Sequence, residues 1–202
     1  MTVQRKRRPY TKTRRAQLEQ ETRRRITAAT VDLHREVGPA RTTISAVAER
    51  AGVQRLTVYR HFPDERTLLG ACSAHWRAGH PAPDPSPWPA IADPEERLRT
   101  ALAAFYAYYA SDEPMMAKIR RDAEAMPALA ETIADVRAYM EMVVEILAGG
   151  WGVRGRRRER VRAAIAHVLE FETWRSLERR QGIPPARAEE LALAMVAGAA
   201  GR

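Results

Sequence analysis

Apolar residues recur every three or four positions along most of this 202-residue chain. Ile26, Ala29, Leu33 and Val37 form the first such stripe, and Gly38-Pro39 stops it. Thr43 suits the N-cap of a second helix, with Ile44, Val47, Ala48 and Ala51 on one face and Gly52 at its end. A third, short helix is predicted from about Gln54 to Phe62. Pro63-Asp64 breaks the chain, and Asp64 can cap a fourth helix carrying Leu68, Leu69, Cys72 and Trp76.

Six prolines at positions 81, 83, 85, 87, 89 and 94 make residues 79–94 an extended connector. Asp93-Pro94-Glu95-Glu96 then has the pattern of an N-cap, an N1 proline and an acidic first turn. The fifth helix carries Leu98, Leu102, Phe105, Tyr106 and Tyr109. Pro114 and Pro127 restart the chain. The helix after Pro127 shows Leu129, Ile133, Val136, Met140, Val143 and Leu147, closed by Gly149-Gly150. Arg156 to Arg180 has the pattern of one long helix, and a last helix runs from Leu191 to Ala200. No alternating strand pattern and no internal repeat is present. The expectation is an all-α protein of about nine helices.

Charge divides the chain. Residues 1–62 hold 15 Arg or Lys against 5 Asp or Glu, whereas residues 63–202 hold 19 against 20. A basic block beside a neutral body points to a polyanion partner for one part of the chain. Residues 1–15 carry seven of these cations and no acid, as in a solvated, mobile arm. Arg5-Lys6-Arg7-Arg8 could order in a DNA minor groove. No apolar run reaches the length of a bilayer span, and no apolar stretch follows the basic N-terminus as in a signal peptide. Cys72 is the sole cysteine, which excludes an intrachain disulfide and fits a reducing cytoplasm.

The stretch "AGVQRLTVYRHFPDERTLL", residues 51–69, mixes cations with apolar residues. A short helix, a turn with Gly and a second short helix form the helix-turn-helix plan. Its second helix packs one face on its neighbours and turns the other to the DNA major groove. Val53, Val58 and Phe62 can supply the packed face, leaving Arg55, Leu56, Tyr59 and Arg60 largely off it. Thr43, Thr57, Tyr59 and His61 offer donors suited to phosphate oxygens, while Arg55 and Arg60 could reach guanine.

These residues carry a resemblance. "TTISAVAERAGVQRLTVYRHFPDERTLL", residues 42–69, resembles the DNA-binding segment of the tetracycline-repressor (TetR) family of bacterial regulators. The likeness lies in the Thr before the first helix, the Ala-Gly-Val turn, Thr-x-Tyr-x-His-Phe and the Leu-Leu helix. It is close over roughly residues 20–70 and architectural beyond. It implies backbone-contacting roles for Thr43, Thr57, Tyr59 and His61, and base-facing ones for Arg55, Leu56 and Arg60. Two positions depart from the pattern: Leu56 stands where many members have Gly, and Glu65-Arg66 where many have Lys. The domains expected are a basic arm at 1–15, a DNA-binding unit at 16–63 and a ligand-binding and dimerisation unit at 64–202.

Aromatic and methionine residues gather in the later helices. Phe105, Tyr108, Tyr109, Met116, Met140, Phe171 and Trp174 are candidates for an adaptable apolar ligand cavity, and core packing is the alternative for each. Ligand binding is also what the resemblance implies for this region. Val161, Ile165, Val168, Leu191 and Met195 are candidates for a dimer interface made by the last two helices. The histidines form no cluster at metal-ligand spacing, and no phosphate loop or nucleophile elbow occurs. The expected protein is therefore not an enzyme and needs no cofactor or metal. It is a cytoplasmic homodimeric repressor that binds a palindromic operator and is released by a small apolar or amphipathic molecule. The rival from another class is an architectural DNA-binding dimer that senses nothing.

Overall fold

The computed structural model describes residues 10–201, with side chains from residue 14 onward. The sequence expectation for Arg5-Lys6-Arg7-Arg8 lies outside the described residues. Among those described there is no strand, and eleven α-helical segments follow one another. They are α1 (Tyr10–Glu36), α2 (Ile44–Ala51), α3 (Arg55–His61), α4 (Glu65–Gly79), α5 (Pro94–Ser111), α6 (Glu113–Ala123), α7 (Pro127–Thr132), α8 (Ala134–Ala148), α9 (Gly155–Val168), α10 (Phe171–Trp174) and α11 (Pro185–Ala200). Helix α1 begins at Tyr10, inside the span whose composition suggested a mobile arm.

The chain forms two compact units. One holds the residues up to Ala78 together with Ala117–Thr132; the other holds Gly79–Met116 and the residues from Ile133 onward. In the first, α1 packs on α2 and α2 on α3. Its core is built from Ile26, Val47, Val58, Phe62, Leu68, Leu69 and Cys72. Burial pushes the Cys72 thiol up to about 12, so it stays protonated and packs as a small apolar group. In the second unit α9 packs on α11 and α8, and α5 packs on α11. Leu98, Leu102, Phe105, Leu147, Ile165, Leu169, Phe171 and Trp174 fill its core.

The caps read from the sequence are made. Thr43 accepts the Ala46 N–H at 3.2 Å, Asp64 accepts the Thr67 N–H at 2.7 Å, and Asp93 accepts the N–H groups of Glu95 and Glu96, each at 3.3 Å. Residues 80–93 carry no regular element beyond one 3-10 turn at Trp88–Ala90. Arg97 ties this connector down. Its buried guanidinium donates to the Ile91 carbonyl at 2.7 and 2.9 Å, and to the Ile146 and Gly149 carbonyls at 3.2 and 3.0 Å. It thus adds donors to carbonyls at the end of α8, where the i to i−4 ladder runs out.

Two long helices expected from periodicity are interrupted. The helix after Pro127 breaks at Ile133, whose backbone (φ −100, ψ 7) leaves the helical region between α7 and α8. The span from Arg156 to Arg180 divides into α9, α10 and a π-helix at Arg175–Arg180. Side chains capture the carbonyls at the end of α9. Tyr106 donates its hydroxyl to Val168 O at 3.0 Å, Tyr109 to Leu169 O at 2.5 Å, and Thr173 to His167 O at 2.7 Å. With those acceptors occupied from outside, the i to i−4 ladder stops and restarts at Phe171.

Candidate nucleic-acid interface

Helix α3 has seven residues, and an α-helix with its side chains, roughly 10–12 Å across, fits a major groove about 12 Å wide. Val58 is fully buried and Phe62, its C-cap, nearly so, and both fix α3 on the core. Arg55, Leu56, Tyr59 and Arg60 all face solvent, with Leu56 77% exposed and Tyr59 45%. At about 100° per residue these four cover one arc of roughly 140°. An exposed Leu and Tyr between two cations have no role in the fold of the unit and suit a groove-facing surface. Neither Arg55 nor Arg60 has an ion-pair partner among the described residues. Thr57 and His61 flank the arc and are half-buried.

The turn before α3 is held from α1. Gly52 adopts φ +64 at the end of α2, a left-handed conformation that glycine takes without strain. Arg25 donates to the carbonyls of Ala51 at 2.6 Å and Gly52 at 3.2 Å, so a cation closes the C-terminus of α2. Arg23 donates to the His61 carbonyl at 2.6 Å, and its guanidinium lies 4.1 Å from the Phe62 ring centroid. Burial, with Arg60 and Arg23 nearby, lowers the His61 pKa below its ordinary value, so the ring is neutral at pH 7. Its Nε2 is buried without a hydrogen-bond partner among the described residues, so this atom is not turned toward a phosphate oxygen. The sequence pattern presented Arg23 and Arg25 only as part of a basic run. Their partners lie 38 and 26 positions away, and no local spacing signals either contact.

Three other cations are already engaged. Arg50 makes a bidentate pair with Glu36 at 2.8 Å on both arms, and Arg24 pairs with Glu21. Arg66, one residue past the position where the family pattern has Lys, pairs with Glu131 at 2.5 Å. Thr43 sits exposed as the N-cap of α2.

A short helix, a left-handed Gly turn and a recognition helix with a polar, cationic outer arc define a helix-turn-helix DNA-binding protein. Residues 26–72 match the sequence profile described as bacterial regulatory proteins, tetR family. The fold extends the match. The TetR family transcriptional regulator PfmR from Thermus thermophilus superposes with a TM-score of 0.55 at 22% identity, over 87% of this chain and 97% of that one. A TetR-like regulator from a Rhodococcus species gives 0.57 at 19% identity, over 90% and 97%. A TetR transcription regulator from Haloarcula marismortui gives 0.60 at 17% identity, over 90% and 97%. No curated protein sequence matches the chain. Residues 26–72 thus match the DNA-binding segment of the tetR family of bacterial regulatory proteins, and the chain shares the fold of solved tetR-family regulators.

The candidate ligand residues of the second unit have separate fates. Phe105, Tyr109, Phe171 and Trp174 are at most 3% exposed and pack on one another, with ring centroids 5.4 to 5.9 Å apart. They fill this space themselves. Tyr108 is half-buried and lines a cleft of about 350 Å³ together with His80, Pro81, Pro83, Ala104 and Ser111. Met116 is buried, and Met140 is half-buried on α8. The candidate dimer residues also divide. Val161, Ile165 and Val168 are fully buried in their own unit and offer no free face, because α9 turns them inward between α8 and α11. Leu191 and Met195 remain 39% and 43% exposed on α11.

Proposed function

We propose that this protein is a homodimeric repressor that binds a palindromic operator in the cytoplasm and is released from it by a small apolar or amphipathic molecule. The observation that carries the reading is the outer arc of α3, where Arg55, Leu56, Tyr59 and Arg60 are exposed without a structural task. Base edges and phosphates give each of them one. Two such helices must lie about one DNA turn, roughly 34 Å, apart to read both half-sites, which requires a two-fold partner. Leu191 and Met195, exposed on α11, supply apolar contact for that partner.

Release works by population shift. An effector that binds better to the form with mismatched recognition helices lowers operator occupancy by about 5- to 150-fold, for a coupling of about 1–3 kcal/mol. Such a molecule enters the cleft beside Tyr108, at the edge of the aromatic cluster. Footprinting on the DNA flanking the gene, with and without a panel of apolar metabolites, tests the reading. A protected inverted repeat that one compound class clears is the expected result. Protection with no sequence preference, indifferent to every compound, would establish the architectural reading instead.

A further inference from the structure

The near-neutral total of the later residues hides a strong local charge. Residues 154–162, Arg-Gly-Arg-Arg-Arg-Glu-Arg-Val-Arg, hold six arginines and one glutamate, so the rest of residues 63–202 sums to −6. All but Val161 and Arg162 are exposed. Arg158 and Arg162 lean on α8, where both pair with Glu145. Arg157 lies along the end of α11, close enough that a Cβ on Gly201 would be 3.5 Å from its guanidinium carbon. Arg154, Arg156 and Arg160 have no carboxylate partner among the described residues. Arg156 and Arg160 stand one turn apart on an exposed side of α9, away from buried Val161, Ile165 and Val168.

Such crowding of like charge opposes folding, and three unpaired guanidiniums within seven residues do nothing for the core. We propose that this arginine face at the start of α9 is a second phosphate-binding surface, which holds the backbone of a DNA duplex other than the segment read by α3. The chemistry of the patch selects that occupant. A membrane-seated helix needs an apolar face beside its cations, and a protein partner needs an apolar or aromatic anchor. None of the large exposed hydrophobic side chains falls within residues 150–168, and Trp151 is buried. Duplex DNA requires neither, since a row of phosphates is met by cations alone. Arginine also matches phosphate oxygens with two parallel donors.

A bridging assay with the full-length protein tests this. A biotinylated operator duplex captures the protein, and a fluorescent duplex of unrelated sequence is offered to the complex. Wild type should retain the second duplex at 50 mM salt and, per molecule of protein still held on the operator, release it by 200 mM. Three phosphate contacts predict a fall of roughly 40-fold over that range. The triple variant Arg154→Gln, Arg156→Gln, Arg160→Gln should lose the second duplex while operator affinity and circular dichroism stay unchanged. A control with Arg77→Gln, Arg99→Gln and Arg137→Gln should behave as wild type, which separates a local patch from net charge. Equal capture by the triple variant and wild type overturns the proposal. So does loss in the control of the same size. Binding of phosphatidylserine vesicles without capture of duplex would overturn it as well.

Discussion

The Asp122 carboxylate accepts the backbone N–H of Ala40 at 3.0 Å, across 82 positions of sequence. Arg121 supports it, donating to Asp122 at 2.6 Å and to the Val37 carbonyl at 3.3 Å. Between them passes Gly38 at φ +94, where a Cβ would lie 2.5 Å from the Asp122 carboxylate. The turn that aims α1 into α2 is thus fastened by residues far along the chain. Asp122→Ala leaves the Ala40 N–H and Arg121 without their acceptor. A loss of about 1.5–3 kcal/mol in unfolding free energy is expected, read from urea midpoints. Asp122→Asn, which keeps an acceptor, should lose less.

His34 lies beside this contact and is 5% exposed. Burial lowers its pKa from the ordinary 6.5 to about 4, and Asp122 recovers part of the shift. Since the folded value is depressed, the unfolded chain takes up the proton first as pH falls. The stabilisation is complete above pH 6.5 and is lost between 6.5 and 4. Wild type should therefore lose about 2–3 kcal/mol more than His34→Gln between pH 7 and pH 4.5. Denaturant titrations at the two pH values measure the difference. Parallel curves for the two proteins would assign the acid sensitivity elsewhere.

The local signals in the sequence were legible because local geometry enforces them. Thr43, Asp64 and Asp93 cap helices since a side-chain oxygen two or three residues before an orphan N–H must meet it. The inner and outer faces of α3 followed from one helical period, with Val58 inside and Leu56 and Tyr59 outside. What failed depended on partners distant in sequence. The periodicity of residues 156–180 continues across the break at Leu169-Glu170, where two of the three side chains that capture the carbonyls, Tyr106 and Tyr109, lie some sixty positions earlier. Likewise an apolar stripe such as Val161, Ile165 and Val168 does not say whether it faces its own core or a partner. The α8 and α11 contacts decide that.

Tyr59 and Arg60 share the exposed arc of α3 but should answer differently to substitution. Arg60→Ala removes a fork that can bind guanine O6 and N7. It should relax preference at one operator position by about 1–3 kcal/mol. Tyr59→Phe removes one hydroxyl donor to phosphate and should weaken every site alike. Binding profiles over all single-base operator variants separate the two. An unchanged profile after Arg60→Ala would place that side chain on the backbone.

The excess positive charge of residues 1–62 implies counterion release on binding. With about 6–10 phosphate contacts, operator affinity should fall by roughly 10³–10⁵ between 50 and 200 mM salt. Fluorescence anisotropy across that range gives the slope directly. A nearly flat response would mean that few of these cations touch phosphate.

Dimerisation can be tested on α11 alone, because the structure divides the candidate interface. Val161, Ile165 and Val168 are fully buried in their own unit, so a charge there attacks the monomer's core. Met195 and Leu191 are 43% and 39% exposed one turn apart, and Ala194 and Gly198 are exposed beside them. Small residues between two larger apolar ones let a second copy of the helix approach closely. Met195→Glu sets one carboxylate on each side of such an interface, where two like charges are poorly solvated. The variant should keep its helicity, sediment as a monomer and bind the operator weakly, since one recognition helix then reads only half a palindrome. Val161→Glu should instead lose helical signal and melt early, which shows that the two positions play different parts. A Met195→Glu protein that sediments as a dimer would move the interface off this face of α11.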